Sequence, residues 1–183
     1  MTNTKNIKNK TTKVLNSFVT YNKLNTFVSN SVCVKSLTNV HNNIVKSYFK
    51  NTPHSALFLK LASKALRKAV AIKLPLPKNN TPQELQAYNH YINACAVSNQ
   101  MPNARVVHFQ LSRFGYLYTL VQQAKKHTFS NMFHTLKKLN KVHLTAESFV
   151  VSNASHLISV DLFNKIKVAL TSATLPTMER KVA

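Results

Sequence analysis

The residues able to do chemistry are few, and their spacing does not favour it. His127, His134, His143 and His156 are separated by intervals of 7, 9 and 13 residues. None of these intervals is the tight i,i+2 or i,i+4 pairing of a metal site, and no cysteine accompanies them. Scattered histidines on a basic surface are the expectation. His90 and Cys95 are the one pair that imitates a base and a nucleophile. An offset of five does not set two side chains on one helical stripe, and no carboxylate orients the imidazole. Cys95 therefore reads as a buried thiol, a small hydrophobe. Four carboxylates leave little for carboxylate-pair hydrolysis or a calcium or magnesium cage. A single glycine excludes a glycine-rich phosphate loop, and two cysteines are too few for a disulfide framework or a four-cysteine zinc site. No catalysis, no cofactor, no metal and no small-molecule substrate are expected.

What the sequence offers instead is charge. Against its 4 Asp+Glu stand 25 Lys+Arg, a formal net charge of +21 over 183 residues. Such a surface calls for a polyanion, and nucleic acid is the first candidate. Lys125-Lys126, Lys137-Lys138 and Lys141 flank short elements and are expected to touch phosphates. Phe129, Phe133 and Phe149 lie among them but read more readily as core. A last segment, Thr171-Ser172-Ala173-Thr174 with Thr177, groups hydroxyls and small residues. It can approach a sugar-phosphate backbone closely, or it can be a turn that satisfies only itself.

The elements that must hold these residues are read from periodicity and breakers. Residues 1–30 look polar and irregular. His54–Ile72 carries apolar residues at helical spacing with four cations among them. The run Leu74-Pro75-Leu76-Pro77 through Pro82 reads as a linker. Residues 1–84 form a basic, partly helical extension, and residues 85–183 a domain. In that domain Gln83–Asn99 and Val106–Phe114 are expected helices, with Gly115 closing the second. Tyr116–Val121, Thr128–Leu139, Leu144–Val151, His156–Val160 and Val168–Leu170 are expected strands, and Asp161 an N-cap for a short helix at Leu162–Lys167. The expected fold class is α+β, in two small subdomains with an antiparallel sheet.

No run of 18 apolar residues suggests a transmembrane helix, and no membrane partner is expected. The N-terminus has Lys, Ser and Thr and no acid. It suits either an organellar leader or a basic arm.

Read in order, residues 85–177 resemble the small-subunit ribosomal protein S-eight family. Tyr91-Ile92-Asn93-Ala94 is similar to its opening I-x-N-A. Pro102-Asn103-Ala104-Arg105-Val106 and Phe114-Gly115-Tyr116-Leu117 are similar to its P-x-S-K-L and G-Y-I motifs. Leu136-Lys137-Lys138 loosely matches L-K-Y. Val151-Ser152-Asn153-Ala154-Ser155 resembles V-S-K-P-G, and Leu170-Thr171-Ser172-Ala173-Thr174 resembles S-T-S-K-G. The chain lacks the family's glycines at three turns and has Ala173 where the family has lysine. The resemblance implies an α+β fold that binds the central domain of small-subunit ribosomal RNA. It places the main contact at Thr171–Thr174 and secondary contacts at Asn103, Arg105, Ser152, Asn153 and Ser155. With the basic extension, it implies a structural protein of the mitochondrial small ribosomal subunit, in the matrix, beside neighbouring ribosomal proteins. Rival expectations are a ribosomal protein of the S-seven family (Thr145-Ala146-Glu147-Ser148 resembles part of it), a lineage-specific organellar ribosomal protein, a small Cys/His enzyme, and a basic protein of membrane surfaces.

Overall fold

The computed structural model describes residues 20–48, 55–100, 104–126 and 130–174. Every regular element among them is helical. The chain divides into two compact units, Met1–Lys73 and Leu74–Ala183.

The first unit contains α1 (20–30), α2 (Val34–Tyr48) and α3 (Ser55–Lys73). In α2 the apolar residues Val34, Leu37, Val40 and Ile44 recur every three or four positions, which lines one face of a helix. Phe58, Leu61, Ala62, Ala65 and Ala69 do the same in α3, and the two stripes share a core with Val28 of α1. The alanines let the helix backbones approach closely, and Tyr21 meets Phe58 edge-on at 5.7 Å. His41 Nδ1 lies 3.1 Å from the Ala62 carbonyl, which ties α2 to α3.

The second unit is built on α4 (Pro82–Ser98), against which α6 (Tyr116–Lys125), α7 (Asn131–Lys138) and α8 (Ala146–Asn153) pack. Helix α5 (Ala104–Phe114) leans on α6, and α9 (Val160–Thr174) on α8. Thr81 caps α4 by accepting from the Glu84 N–H, with Pro82 in the first turn, where its missing N–H costs nothing. Asn99, left-handed at φ 53°, ends the helix.

The α+β expectation is overturned: among the described residues the fold is all-α, and none of the expected strands forms. Caps and burial period explain why. Tyr116–Val121 has a β-rich composition, but it buries Tyr116, Thr119 and Leu120 and leaves Tyr118 half exposed. That is the i, i+3, i+4 stripe of a helix, whereas a strand would hide alternate residues. Over 128–139, Ser130 accepts from the Phe133 N–H and starts α7, which buries Phe133 and Leu136. Over 144–151, Thr145 accepts from the Ser148 N–H and starts α8. Phe149 and Val150 are both buried there, though adjacent. Residues 156–160 span the end of a 3₁₀ turn (Ser155–Leu157), two irregular residues and the first residue of α9. Val168–Leu170 lies inside α9, with Val168 exposed. Within residues 1–30, expected to be irregular, 20–30 is helix.

Candidate nucleic-acid interface

The carboxylates set the electrostatics by where they hide. Glu84 and Glu147 are buried, and Asp161 is the one exposed carboxylate among the described residues. The first unit holds 13 Lys+Arg and no Asp or Glu at all. Two of its ammonium groups turn to neutral oxygens. Lys64 donates to Asn25 Oδ1 and Ser29 Oγ at 2.9 and 3.0 Å. Lys68 donates to the carbonyls of Val28 and Ser29, at the end of α1 where the helix dipole favours a cation. A surface this poor in anions presents unneutralised positive charge to solvent, the property that a phosphate backbone recognises.

Glu84 has a structural task. Its carboxylate leaves α4 and accepts from the N–H groups of Tyr116 and Leu117, at 2.6 and 2.9 Å, capping α6 from another helix. The approach passes directly over Gly115, which sits at φ 86° between α5 and α6. A Cβ there would lie 2.6 Å from Glu84 Oε1. Gly115 does follow α5, as expected, but it also opens α6. Tyr116, held beneath, donates its hydroxyl to the Pro75 carbonyl at 2.6 Å and packs against Tyr88 and Tyr91.

The predicted RNA-contact residues do not form one site. Thr171 and Ser172 are exposed on the last turns of α9, and their hydroxyls donate to the Lys167 and Ala169 carbonyls of the same helix. Ala173 is buried with Phe133 and Val142, and Thr174 ends α9. Ser152 and Asn153 belong to α8. Asn153 donates to the Phe149 carbonyl and accepts from Gln86, and Ser155 opens a 3₁₀ turn. Arg105 falls in the first turn of α5. Asn103, Thr177, His127 and Phe129 lie outside the described residues. Lys125 and Lys126 are exposed at the end of α6, and Lys137, Lys138 and Lys141 at the end of α7 and beyond it. Phe133 and Phe149 are core.

What sequence reasoning missed is aromatic. Between α5 and α6 runs a groove of about 570 Å³ lined by Phe114, Tyr118, Lys125 and Lys126 and by three glutamines. Phe109, Phe114 and Tyr118 are 59%, 42% and 47% exposed, on a domain whose other rings are largely inside. Their recurrence at 109, 114 and 118 across Gly115 was the available signal. It is legible only once 116–121 is known to be helical.

The imagined His90–Cys95 pair does not assemble. Cys95 is buried on α4, where burial pushes its thiol up to about 12. His90 packs on Phe149 at 4.9 Å, with Nε2 3.0 Å from the Thr145 carbonyl, and its burial lowers its pKa. A nucleophile needs a thiolate, and Cys95 is held away from one. Cys33 is the opposite case. It is exposed, and hydrogen bonds from Ser36 lower its pKa. One thiol per native chain should therefore react promptly with a disulfide reagent at neutral pH, and the second only on unfolding. Loss of the prompt reaction in Cys33→Ser checks this assignment. Among the described residues no group of three His, Cys, Asp or Glu could hold a metal ion, and no helix is long and apolar enough to cross a membrane.

No protein-family model, no curated protein and no solved structure matches this chain.

Proposed function

We propose that this chain is a structural RNA-binding protein, a constituent of an organellar ribosome, without catalytic activity of its own. The observation that carries the RNA-binding part is the charge arrangement: two of four carboxylates buried, one exposed among the described residues, and lysines at the free ends of α6 and α7. Lysine ammoniums at helix C-termini are held near the dipole's negative end and remain free to reach a phosphate. The ribosomal part rests on the order of the motifs quoted above. The α+β domain that this order implied is not the fold of the described residues. The hydroxyls of Thr171 and Ser172, bonded to their own helix, are therefore not proposed as the main contact. Lys125, Lys126, Lys137, Lys138 and Lys141 are.

Sedimentation of detergent-lysed mitochondria, with this chain followed by mass spectrometry at high and low magnesium, tests the assignment. Co-migration with the small subunit after the ribosome splits is the expected result. Migration with the large subunit would remove the small-subunit reading and leave the RNA-binding one. A chain that stays at the top of both gradients would end the ribosomal proposal.

A further inference from the structure

We propose that the α5–α6 groove is a stacking platform for the unpaired bases of single-stranded RNA. This deepens the RNA-binding reading and rests on it. Phe114 and Tyr118 line the groove, and Phe109 and Arg113 adjoin it through Phe114. The Arg113 guanidinium lies 5.7 Å from the centre of the Phe109 ring and 5.3 Å from that of Phe114. Phe114 in turn meets Tyr118 at 4.9 Å, with the two rings tilted by 32°. Three aromatic rings open to water are costly to leave exposed on a folded domain, whereas the guanidinium is well solvated there, and a contiguous exposed aromatic patch of this kind marks a binding surface.

The chemistry of the lining selects the partner. Among the described residues no carboxylate lines the groove. Lys125 and Lys126 stand at one end of it, so charge complementarity points to an anion. Gln110, Gln122 and Gln123 each add an amide that both donates and accepts, which suits the edges of bases. Exposed aromatics on which bases stack, beside cations that follow the backbone, are how proteins hold single strands without reading a sequence. A duplex keeps its bases stacked on one another and offers the rings nothing. The volume of the groove lies within the range of ligand clefts and accommodates a nucleotide-sized group.

The chain has no tryptophan, so Tyr118→Trp places a single reporter on the platform. The full-length variant is titrated with a ten-nucleotide oligoadenylate, with a blunt RNA duplex, and with inorganic polyphosphate, which has charge but no bases. Anisotropy of labelled ligand or competition reads binding, and tryptophan fluorescence reads stacking. The single strand should quench the tryptophan at saturation, whereas duplex and polyphosphate should bind without quenching. Phe114→Ala in the same background should weaken the single strand roughly 5- to 150-fold, the range for one stacked base. It should leave polyphosphate affinity unchanged, and Phe114→Tyr should restore binding. Circular dichroism of each variant verifies the fold. Binding of the single strand with no quenching, or equal weakening of all three ligands by Phe114→Ala, overturns the platform and leaves RNA binding standing. A chain that binds none of the three polyanions overturns both.

Discussion

Replacing Gly115 by alanine is expected to destabilise the second unit by about 3–5 kcal/mol, among the largest effects that a single methyl group can have here. Two separate causes add. At φ 86° and ψ 175° the residue occupies a region of backbone space that is nearly glycine's alone. The new Cβ also meets the Glu84 carboxylate at 2.6 Å and displaces it from the amides of Tyr116 and Leu117. A displaced Glu84 is a buried charge that has lost its donors. Glu84→Ala, which deletes the acceptor and leaves both amides unpaired, is expected to cost about 2–4 kcal/mol. The pair should be coupled. With Glu84 already truncated, Gly115→Ala has only the backbone strain to meet, about 1–3 kcal/mol. Urea unfolding of the four variants, followed by near-ultraviolet dichroism of the Tyr88, Tyr91 and Tyr116 cluster, gives the cycle. Strict additivity, or a Gly115→Ala cost below about 1 kcal/mol, would reject this account of the α5–α6 joint.

The second large effect is on binding. If the chain neutralises roughly 6–10 phosphates, its affinity for RNA should fall by about 10³–10⁵ between 50 and 200 mM salt. A plot of log K against log salt should be straight, and its slope counts the contacts. Changing Lys125, Lys126, Lys137, Lys138 and Lys141 together to glutamine should flatten that slope by about 3.5–4.5, since each lost contact removes roughly 0.7–0.9. An unchanged slope would mean that these five lysines are a solvated face and that the contacts belong elsewhere, the acid-free first unit being the next place to look. The salt slope also separates charge from stacking, because Phe114→Ala removes no cation and should lower affinity at every salt concentration by the same factor.

The helices that were legible in the sequence are those whose own periodicity decides them. The stripe over 54–72 appears as α3, the proline and acid at 82–84 open α4, and the apolar run before Gly115 is α5. The rest misled for one reason. In Tyr116–Val121 and Phe149-Val150-Val151 the residue types favour strands, and local composition is all that a window of six residues reports. What makes them helical is supplied from outside that window: Glu84, 32 residues upstream, holds the first amides of α6, and Thr145 holds those of α8. Ser130 and Thr145, inside segments expected to be strands, are the N-caps of α7 and α8. The candidate lysines were legible because charge needs no fold to be counted. The platform was not, because Phe109, Arg113, Phe114 and Tyr118 fall on one surface only if both sides of Gly115 are helical.

The absence of Asp and Glu from Met1–Lys73 also bears on how the molecule meets acid. Acid unfolding proceeds mostly by protonating carboxylates that the native state holds ionised. In the first unit there is no side chain of that kind to protonate. Its histidines are His41 and His54. All the side-chain carboxyl chemistry of the chain, Glu84 included, belongs to the second unit. The carboxylate route to acid unfolding is therefore open to the second unit and closed to the first.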